Sequence, residues 1–306
     1  MSPDAMHLDR SGILLVDKPE GPSSARVVAT VKRLTGARKV GHLGTLDPFA
    51  SGLLPLALNE GTKIAQYFLD ADKGYTGVMT LGAETDTQDR TGKVLFRRDP
   101  PLLDPPRIES LRAEFSGCLQ QVPPMYSALK KDGSRLYELA RKGMEVGREA
   151  RPVRVELNRL QQVGPAELEF ELTCSKGTYV RTLAADIGRS LGCGAHLSRL
   201  RRVAAGPFRI ADAVSLDQLG ELEDVDAVPL VSLNDTLGHL GCAVLGVEAV
   251  ERLRRGLQDS LAAIEAPAAA ETTRRVVDPA GDLVALIGWE KAAAEWHILR
   301  VFNRSR

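Results

Sequence analysis

Apolar positions along the chain switch repeatedly between helical and strand spacing. Residues 12 to 16 form a short apolar run of strand length. Val27, Val28, Val31 and Leu34 then recur at helical spacing behind Ser23 and Ser24, either of which can cap a helix. Thr62 is placed to cap a short helix with Ile64 and Phe68 inward, and Tyr75 to Leu81 reads as a strand ended by the polar turn from Thr85 to Gly92. Ile108, Leu111 and Phe115 have core spacing for a helix, and another runs from about Ser134 to Lys142 until Gly143 stops it. Val153, Val155 and Leu157 alternate with Arg154 and Glu156, as Leu168, Phe170 and Leu172 do with Glu169, Glu171 and Thr173, so two strands each keep one wet face. A helix over about Arg181 to Leu191 buries Leu183, Ile187 and Leu191, and Leu200 to Val203 reads as a further strand. Ser215-Leu216-Asp217-Gln218 has the form of a capping box. Strands and helices alternate without a regular βαβ rhythm, which predicts an α+β fold around a largely antiparallel sheet.

Past about residue 230 the texture changes. A short helix near Val247 to Arg255 precedes the alanine-rich run Leu261 to Glu271, which suits a mobile connector or an exposed helix. Beyond it, Arg275 to Leu286 and Glu295 to Phe302 alternate as strands around the turn Asp278-Pro279-Ala280-Gly281-Asp282. The expected division is therefore a large domain over 1–230 and a small one over 231–306, for which 306 residues suffice.

Composition narrows the classes. The apolar runs Leu53 to Leu58 and Cys242 to Leu245 are far too short to span a bilayer, and the acidic, proline-bearing N-terminus is unlike a signal peptide. The expectation is a soluble cytoplasmic protein. Four cysteines, at 118, 174, 193 and 242, and five histidines, at 7, 42, 196, 239 and 297, fit no metal-ligand spacing, so no metal site is expected and the cysteines read as buried free thiols. Net charge is zero, yet cations are clustered. Pro22 to Leu46 carries Arg26, Lys32, Arg33, Arg38 and Lys39 with no acid, and Ala195 to Arg209 carries Arg199, Arg201, Arg202 and Arg209 with none. Lys130 to Arg154 holds eight basic residues against four acidic ones. Such clusters are commonly solvated faces; flanking a reactive site, they would suit the phosphates of a nucleic acid.

The candidate for that site is Gly41-His42-Leu43-Gly44-Thr45-Leu46-Asp47-Pro48, where one acid stands among glycines, small residues and apolar residues. Gly41 and Gly44 permit turns that a Cβ resists, and Pro48 fixes φ directly after the acid. Asp47 is thus expected on a stiff, tightly turned loop.

With its continuation Phe49-Ala50-Ser51-Gly52-Leu53-Leu54-Pro55, this segment resembles the signature loop of the TruB-type tRNA pseudouridine synthases. Further blocks of that family stand in order: Gly12-Ile13-Leu14-Leu15-Val16-Asp17-Lys18-Pro19, Lys73-Gly74-Tyr75, Pro123-Pro124-Met125-Tyr126-Ser127-Ala128 and Lys176-Gly177-Thr178-Tyr179-Val180-Arg181-Thr182-Leu183. The resemblance implies a pseudouridine synthase fold with a mixed, largely antiparallel sheet flanked by helices, and a small C-terminal β-barrel similar to a PUA domain. It implies Asp47 as the nucleophile, Arg181 as its partner, and Tyr75, Tyr179 and Leu200 as pocket residues for the base. His42 would enter the space that a flipped base leaves in the RNA. The implied substrate is the uridine at position 55 in the T stem-loop of tRNA, handled by a monomer without an obligate protein partner.

The chemistry suits such residues. Uracil leaves C1′ of its ribose, turns and rejoins through C5, so no atoms are gained or lost and no cofactor is expected. A carboxylate beside C1′ answers the oxocarbenium character of the sugar, and a guanidinium fork can keep that carboxylate ionised in a dry pocket. Asp17, Lys18, Asp86 and Asp89 stand in or near the same blocks, with Asp17 to Pro19 equally readable as a turn supporting the loop. Three other readings stay open: an RNA-guided relative, a non-catalytic tRNA chaperone, and a glycoside hydrolase, which would need a second carboxyl roughly 5–10 Å away.

Overall fold

The computed structural model describes residues 7–127, 129–131, 133–268 and 271–303. Among the described residues, eleven strands join in one sheet. Its main path runs Val214–Ser215, Gly12–Lys18, Ser51–Leu58, Ala195–Ala205, Lys73–Leu81, Glu167–Cys174, Arg151–Gly164, Gly117–Gln121. All neighbours on it are antiparallel except two: Gly12–Lys18 with Val214–Ser215, and Ala195–Ala205 with Ser51–Leu58. The fold is thus α+β around a mixed, mainly antiparallel sheet.

Two neighbouring interior strands form a doubly buried pair. Gly12–Lys18 and Ser51–Leu58 match residue for residue, and Leu53, Leu54, Leu56, Ala57 and Leu58 have no exposed surface. Each such leucine contributes roughly 1.5–3 kcal/mol by leaving water. A continuous apolar run is what a strand covered on both faces requires. The run Leu53 to Leu58 therefore carries an interior strand.

Helix Ser24–Thr35 closes one face. Ser23 caps it by accepting from the Arg26 amide at 3.2 Å, and Gly36 ends it at φ 65. Val27 and Val31 point into the main core, where helix Val180–Ser190 adds Leu183 and Ile187. Ser215 and Gln218 form the expected capping box.

Two expectations need correction. Thr62 caps no helix; its hydroxyl donates to Asn59 O at 2.8 Å within a 3-10 turn, Asn59–Ile64. Asn59 organises that turn, taking a left-handed φ of 52 while its amide side chain bonds the backbones of Leu8, Arg10, Arg38 and Lys39. Ile64 and Phe68 are nevertheless buried, as their spacing predicts. The alanine-rich run begins as neither an exposed helix nor a free tether. Leu261 is buried at the end of a 3-10 turn, and Glu265 O accepts from Trp296 Nε1 at 2.9 Å and Arg274 Nη1 at 3.2 Å. Ala269 and Ala270, within that run, lie outside the described residues.

The C-terminal sheet has the order Gly241–Val244, Thr273–Val277, Leu283–Glu290, Glu295–Val301, and its first pair is parallel. Among the described residues no pairing closes it into a barrel. Helix Val247–Arg254 covers one face with Val250 and Leu253. The other face delivers Leu286 and Phe302 to an apolar cluster with Ile13, Leu15, Leu43, Leu53 and Phe68. Lys63 Nζ donates to Val301 O at 2.7 Å across the same junction. All four cysteines are free, but only Cys174 and Cys193 are buried; Cys118 and Cys242 are exposed because both lie on edge strands.

Candidate active site

Asp47 sits in the loop joining the short strand Val40–His42 to Ser51–Leu58. Gly44, at φ 132, supplies the turn; Gly41 takes no positive φ and simply pairs with Ala57. The loop is tied down from several sides. Ser24 Oγ accepts from the Leu46 amide and donates to the Leu46 carbonyl, both at 2.9 Å. Pro48 O accepts from the Gly21 amide at 2.7 Å, and Ala50 N donates to Asp47 O at 3.1 Å. Lys18 is buried, and its Nζ donates to Pro19 O at 2.8 Å, Pro22 O at 3.0 Å and Pro48 O at 3.4 Å. Burial, partly offset by the Asp47 charge, brings its pKa down to about 8. The Asp17–Pro19 block thus supports the loop: Lys18 braces it directly, while Asp17 grips Arg201.

Arg181 enters from the first turn of helix Val180–Ser190, 134 residues away, and its Nε donates to Asp47 Oδ2 at 2.8 Å. A fork holding both carboxylate oxygens was the expectation; the structure instead spreads the guanidinium over three partners. Nη1 donates to Thr87 O at 2.7 Å and Nη2 to Tyr126 O at 2.8 Å. The Arg181 side chain is 5% exposed and that of Asp47 36%, so a rigid, dry cation holds a carboxylate that still faces solvent. Asp89, buried, lies 3.9 Å from Arg181 Nε, with its own Oδ1 bonded by Thr87 and by Thr91. A second carboxylate therefore backs the arginine without competing for the open side of Asp47. Its sequence signal was the polar turn itself, where Asp86 and Asp89 alternate with threonines.

Gln121 is a further contributor that sequence reasoning passed over. Its buried side chain accepts from Tyr179 N at 2.7 Å and donates to Tyr179 O at 3.1 Å. This fixes the residue that opens the Arg181 helix, where no side-chain cap exists. Tyr179 is partly buried, its phenol pKa raised first by burial, and it feels the charges of both Arg181 and Asp47. Tyr75, on Lys73–Leu81, packs against the main core, and burial raises its pKa too, with Asp47 again within electrostatic reach. Leu200 is buried in that same core, on the strand alongside, opposite Gly77. His42 lies five residues before Asp47 on Val40–His42, partly buried. Burial, and then the Arg202 charge, hold its imidazole pKa below the usual range, which favours the neutral ring. The structure thus joins Asp47 and Arg181 directly, sets Tyr75 and Tyr179 around them, and leaves Leu200 in the adjoining core and His42 at the far end of the loop.

The basic clusters divide. Arg26, Lys32, Arg33, Lys39 and Arg199 are exposed, and among the described residues no carboxylate lies within 4.0 Å of them. Arg201 is engaged by Asp17, and Arg202 is 1% exposed, so neither is a free phosphate contact. Among the described residues no helix is long and apolar enough to cross a membrane, and no group of three or more His, Cys, Asp or Glu could hold a metal ion.

The mixed, mainly antiparallel sheet flanked by helices is a pseudouridine synthase fold, and solved structures share it. The chain superposes with TM-score 0.70 at 25% identity, over 100% of this chain and 92% of the other, on one described as a Cbf5-Nop10-Gar1 complex. An archaeal box H/ACA sRNP Nop10-Cbf5 complex gives 0.69 at 24% identity, over 96% and 86%. The family model "TruB family pseudouridylate synthase (N terminal domain)" matches residues 32–180, and "tRNA pseudouridylate synthase B C-terminal domain" matches 181–250. The chain is 44% identical over 304 residues to tRNA pseudouridine synthase B of Geobacter sulfurreducens, covering 95% of this chain and 99% of that one. It is 50% identical over 230 residues to the protein of that name from Aromatoleum aromaticum, covering 75% and 74%. The chain belongs to the TruB family of pseudouridine synthases, enzymes that isomerise uridine in RNA.

Proposed function

We propose that this chain converts the T-loop uridine at tRNA position 55 to pseudouridine, with Asp47 as the nucleophile at C1′. The C1′–N1 bond breaks, the freed uracil turns, a C1′–C5 bond forms, and the proton lost from C5 is balanced by one gained at N1. Nothing in that sequence calls for a metal or cofactor. The contact of Arg181 Nε with Asp47 Oδ2 carries the reading: it holds the carboxylate in place while leaving its outer side free for a sugar. The uridine must leave its stack to reach Asp47. Tyr75 then offers a ring to the extruded base, Tyr179 and Leu200 bound the pocket, and His42 fills the vacated space in the RNA. The exposed cations of residues 26–39 guide the phosphates. The protein acts in the cytoplasm as a monomer without an obligate partner, with residues 1–230 catalytic and 231–306 gripping RNA away from the site.

Incubation with an unmodified tRNA transcript, followed by nuclease digestion and mass spectrometry, tests this. Pseudouridine should appear at unchanged mass, and Asp47→Asn should form none. Free uracil would point to hydrolysis instead, and unchanged tRNA to binding alone.

A further inference from the structure

We propose that Arg202 is a positioning residue that clamps both arms of the Asp47 loop and sets where the carboxylate stands. This rests on the isomerase reading above. Arg202 is among the largest fully buried side chains of the protein, at 1% exposure. Its Nε donates to Leu53 O at 2.7 Å, Nη1 to Thr45 O at 3.1 Å and Nη2 to Gly44 O at 3.1 Å. Gly44 and Thr45 precede Asp47 and Leu53 follows it, so one guanidinium bridges the two ends of the segment that carries the acid.

The backbone repeats the grip. Arg202 pairs with Gly52 in the short parallel register that joins Ala195–Ala205 to Ser51–Leu58. Gly52 stands at φ 105, and a Cβ there would lie 2.3 Å from Arg202 O. Glycine is therefore required at 52 because the Arg202 main chain presses directly on the loop.

The clamp is costly to keep, which argues for a purpose. A buried cation ordinarily has a carboxylate, yet among the described residues none comes within 4.0 Å of Arg202. Three carbonyl dipoles receive its donors instead, in charge-assisted bonds stronger than neutral ones. A lysine offers one nitrogen and cannot reach three carbonyls spread over a plane. The guanidinium also lies beside the Tyr75 phenol, and its charge reaches His42 and Lys18. One side chain thus links the nucleophile's loop, the base platform and the loop's entry histidine.

The test compares wild type, Arg202→Lys and Arg202→Ala in single-turnover pseudouridine formation on unmodified tRNA, alongside tRNA affinity by filter binding. A loop displaced by about 1 Å should slow the bound substrate by about 100-fold, with Kd within about threefold of wild type. Guanidinium ion at non-denaturing concentration should raise the Arg202→Ala rate by about tenfold, by refilling the donor site, and methylammonium should not. Neither salt should help Asp47→Asn, and a purely structural lesion would show no such selectivity. Arg202→Lys turning over within about threefold of wild type overturns the clamp, as does a loss confined to Kd or a folded Arg202→Ala that guanidinium leaves unchanged. Arg202→Lys keeps the charge and carries the test if the alanine variant fails to fold. In each of those cases an active wild type leaves the isomerase reading standing; a wild type that makes no pseudouridine removes that reading and the clamp together.

Discussion

Replacing Arg181 with lysine separates charge from geometry at the centre of the site. The native guanidinium meets Asp47 at 2.8 Å, Thr87 O at 2.7 Å and Tyr126 O at 2.8 Å from three different nitrogens, at 5% side-chain exposure. Lysine keeps the positive charge but brings one nitrogen, which cannot serve three divergent acceptors. If it stays with Asp47, two part-buried carbonyls lose their donors, at about 1 kcal/mol each. If it turns to the carbonyls, Asp47 loses its brace. Either way the carboxylate moves by a fraction of an ångström to about 1 Å, which costs on the order of 100-fold in rate, or about 2.7 kcal/mol of barrier. The assay follows tritium released from C5 of labelled uridine in tRNA, because C5 exchanges its hydrogen for the new bond to C1′. With enzyme in excess, Arg181→Lys should release tritium about 100-fold more slowly while tRNA affinity stays within a few fold. Its melting temperature should fall. In an Asp47→Asn background the lysine change should have no further effect on rate, since the two act as a unit. An Arg181→Lys enzyme as fast as wild type, or one impaired only in binding, would show that the three-way grip does not set the position of Asp47.

Two further perturbations probe the loop from its other sides. His42→Ala should weaken tRNA binding by about tenfold, the scale of one lost base stack, and leave the single-turnover rate of bound tRNA within a few fold; fluorescence anisotropy and the tritium assay read the two effects. Because burial lowers the His42 pKa, the ring is less protonated at any given pH than a free imidazole, so its share of affinity should change little between pH 7 and 8; an affinity gain on acidification within that window, lost in His42→Ala, would contradict a neutral stacking ring. Lys18 makes stability rise with pH in a defined window. Its folded pKa of about 8 lies below the model-compound value of 10.5, so the folded state binds fewer protons between them, and a penalty of roughly 3 kcal/mol present below pH 8 is relieved as pH climbs towards 10.5. Urea melts at pH 7.5 and 9.5 should show wild type gaining about 1–2 kcal/mol relative to Lys18→Met, whose stability carries no such titration; equal pH dependence in the two proteins would mean that Lys18 titrates normally.

The elements that local spacing can encode were legible. Ser23 with Val27 and Val31, the alternating strands around Leu157 and Phe170, and the Ser215–Gln218 box each place their hydrophobic and capping groups within one or two turns of one another. Elements set by distant partners were not. The run Leu53 to Leu58 carries no alternation because both its faces are buried, so only its neighbours in space identify it as an interior strand. Thr62 has the residue type of a cap, but Asn59, bonded to residues about 50 positions earlier, decides the turn.

The site divides along the same line. Asp47 was legible because a lone acid bounded by glycine and proline is itself a local pattern, and the Arg181 block could be matched although its contact spans 134 residues. What failed was the inference from charge to exposure. Four arginines between 195 and 209 looked like one phosphate-binding face, yet strand alternation sends neighbours to opposite sides, so Arg201 meets Asp17 in partial solvent while Arg202 is buried under the loop. One strand thereby gives adjacent arginines unrelated work, and a sum of charges cannot distinguish them. Nor could it reveal that the acids near this site also hold cations: Asp17 takes Arg201, Glu20 takes Arg90 and Asp89 backs Arg181. Net neutrality is thus compatible with local clusters of free cations, because part of the charge fixes the Asp47 loop while, among the described residues, exposed cations such as Arg26, Lys32, Arg33, Lys39 and Arg199 have no carboxylate within 4.0 Å.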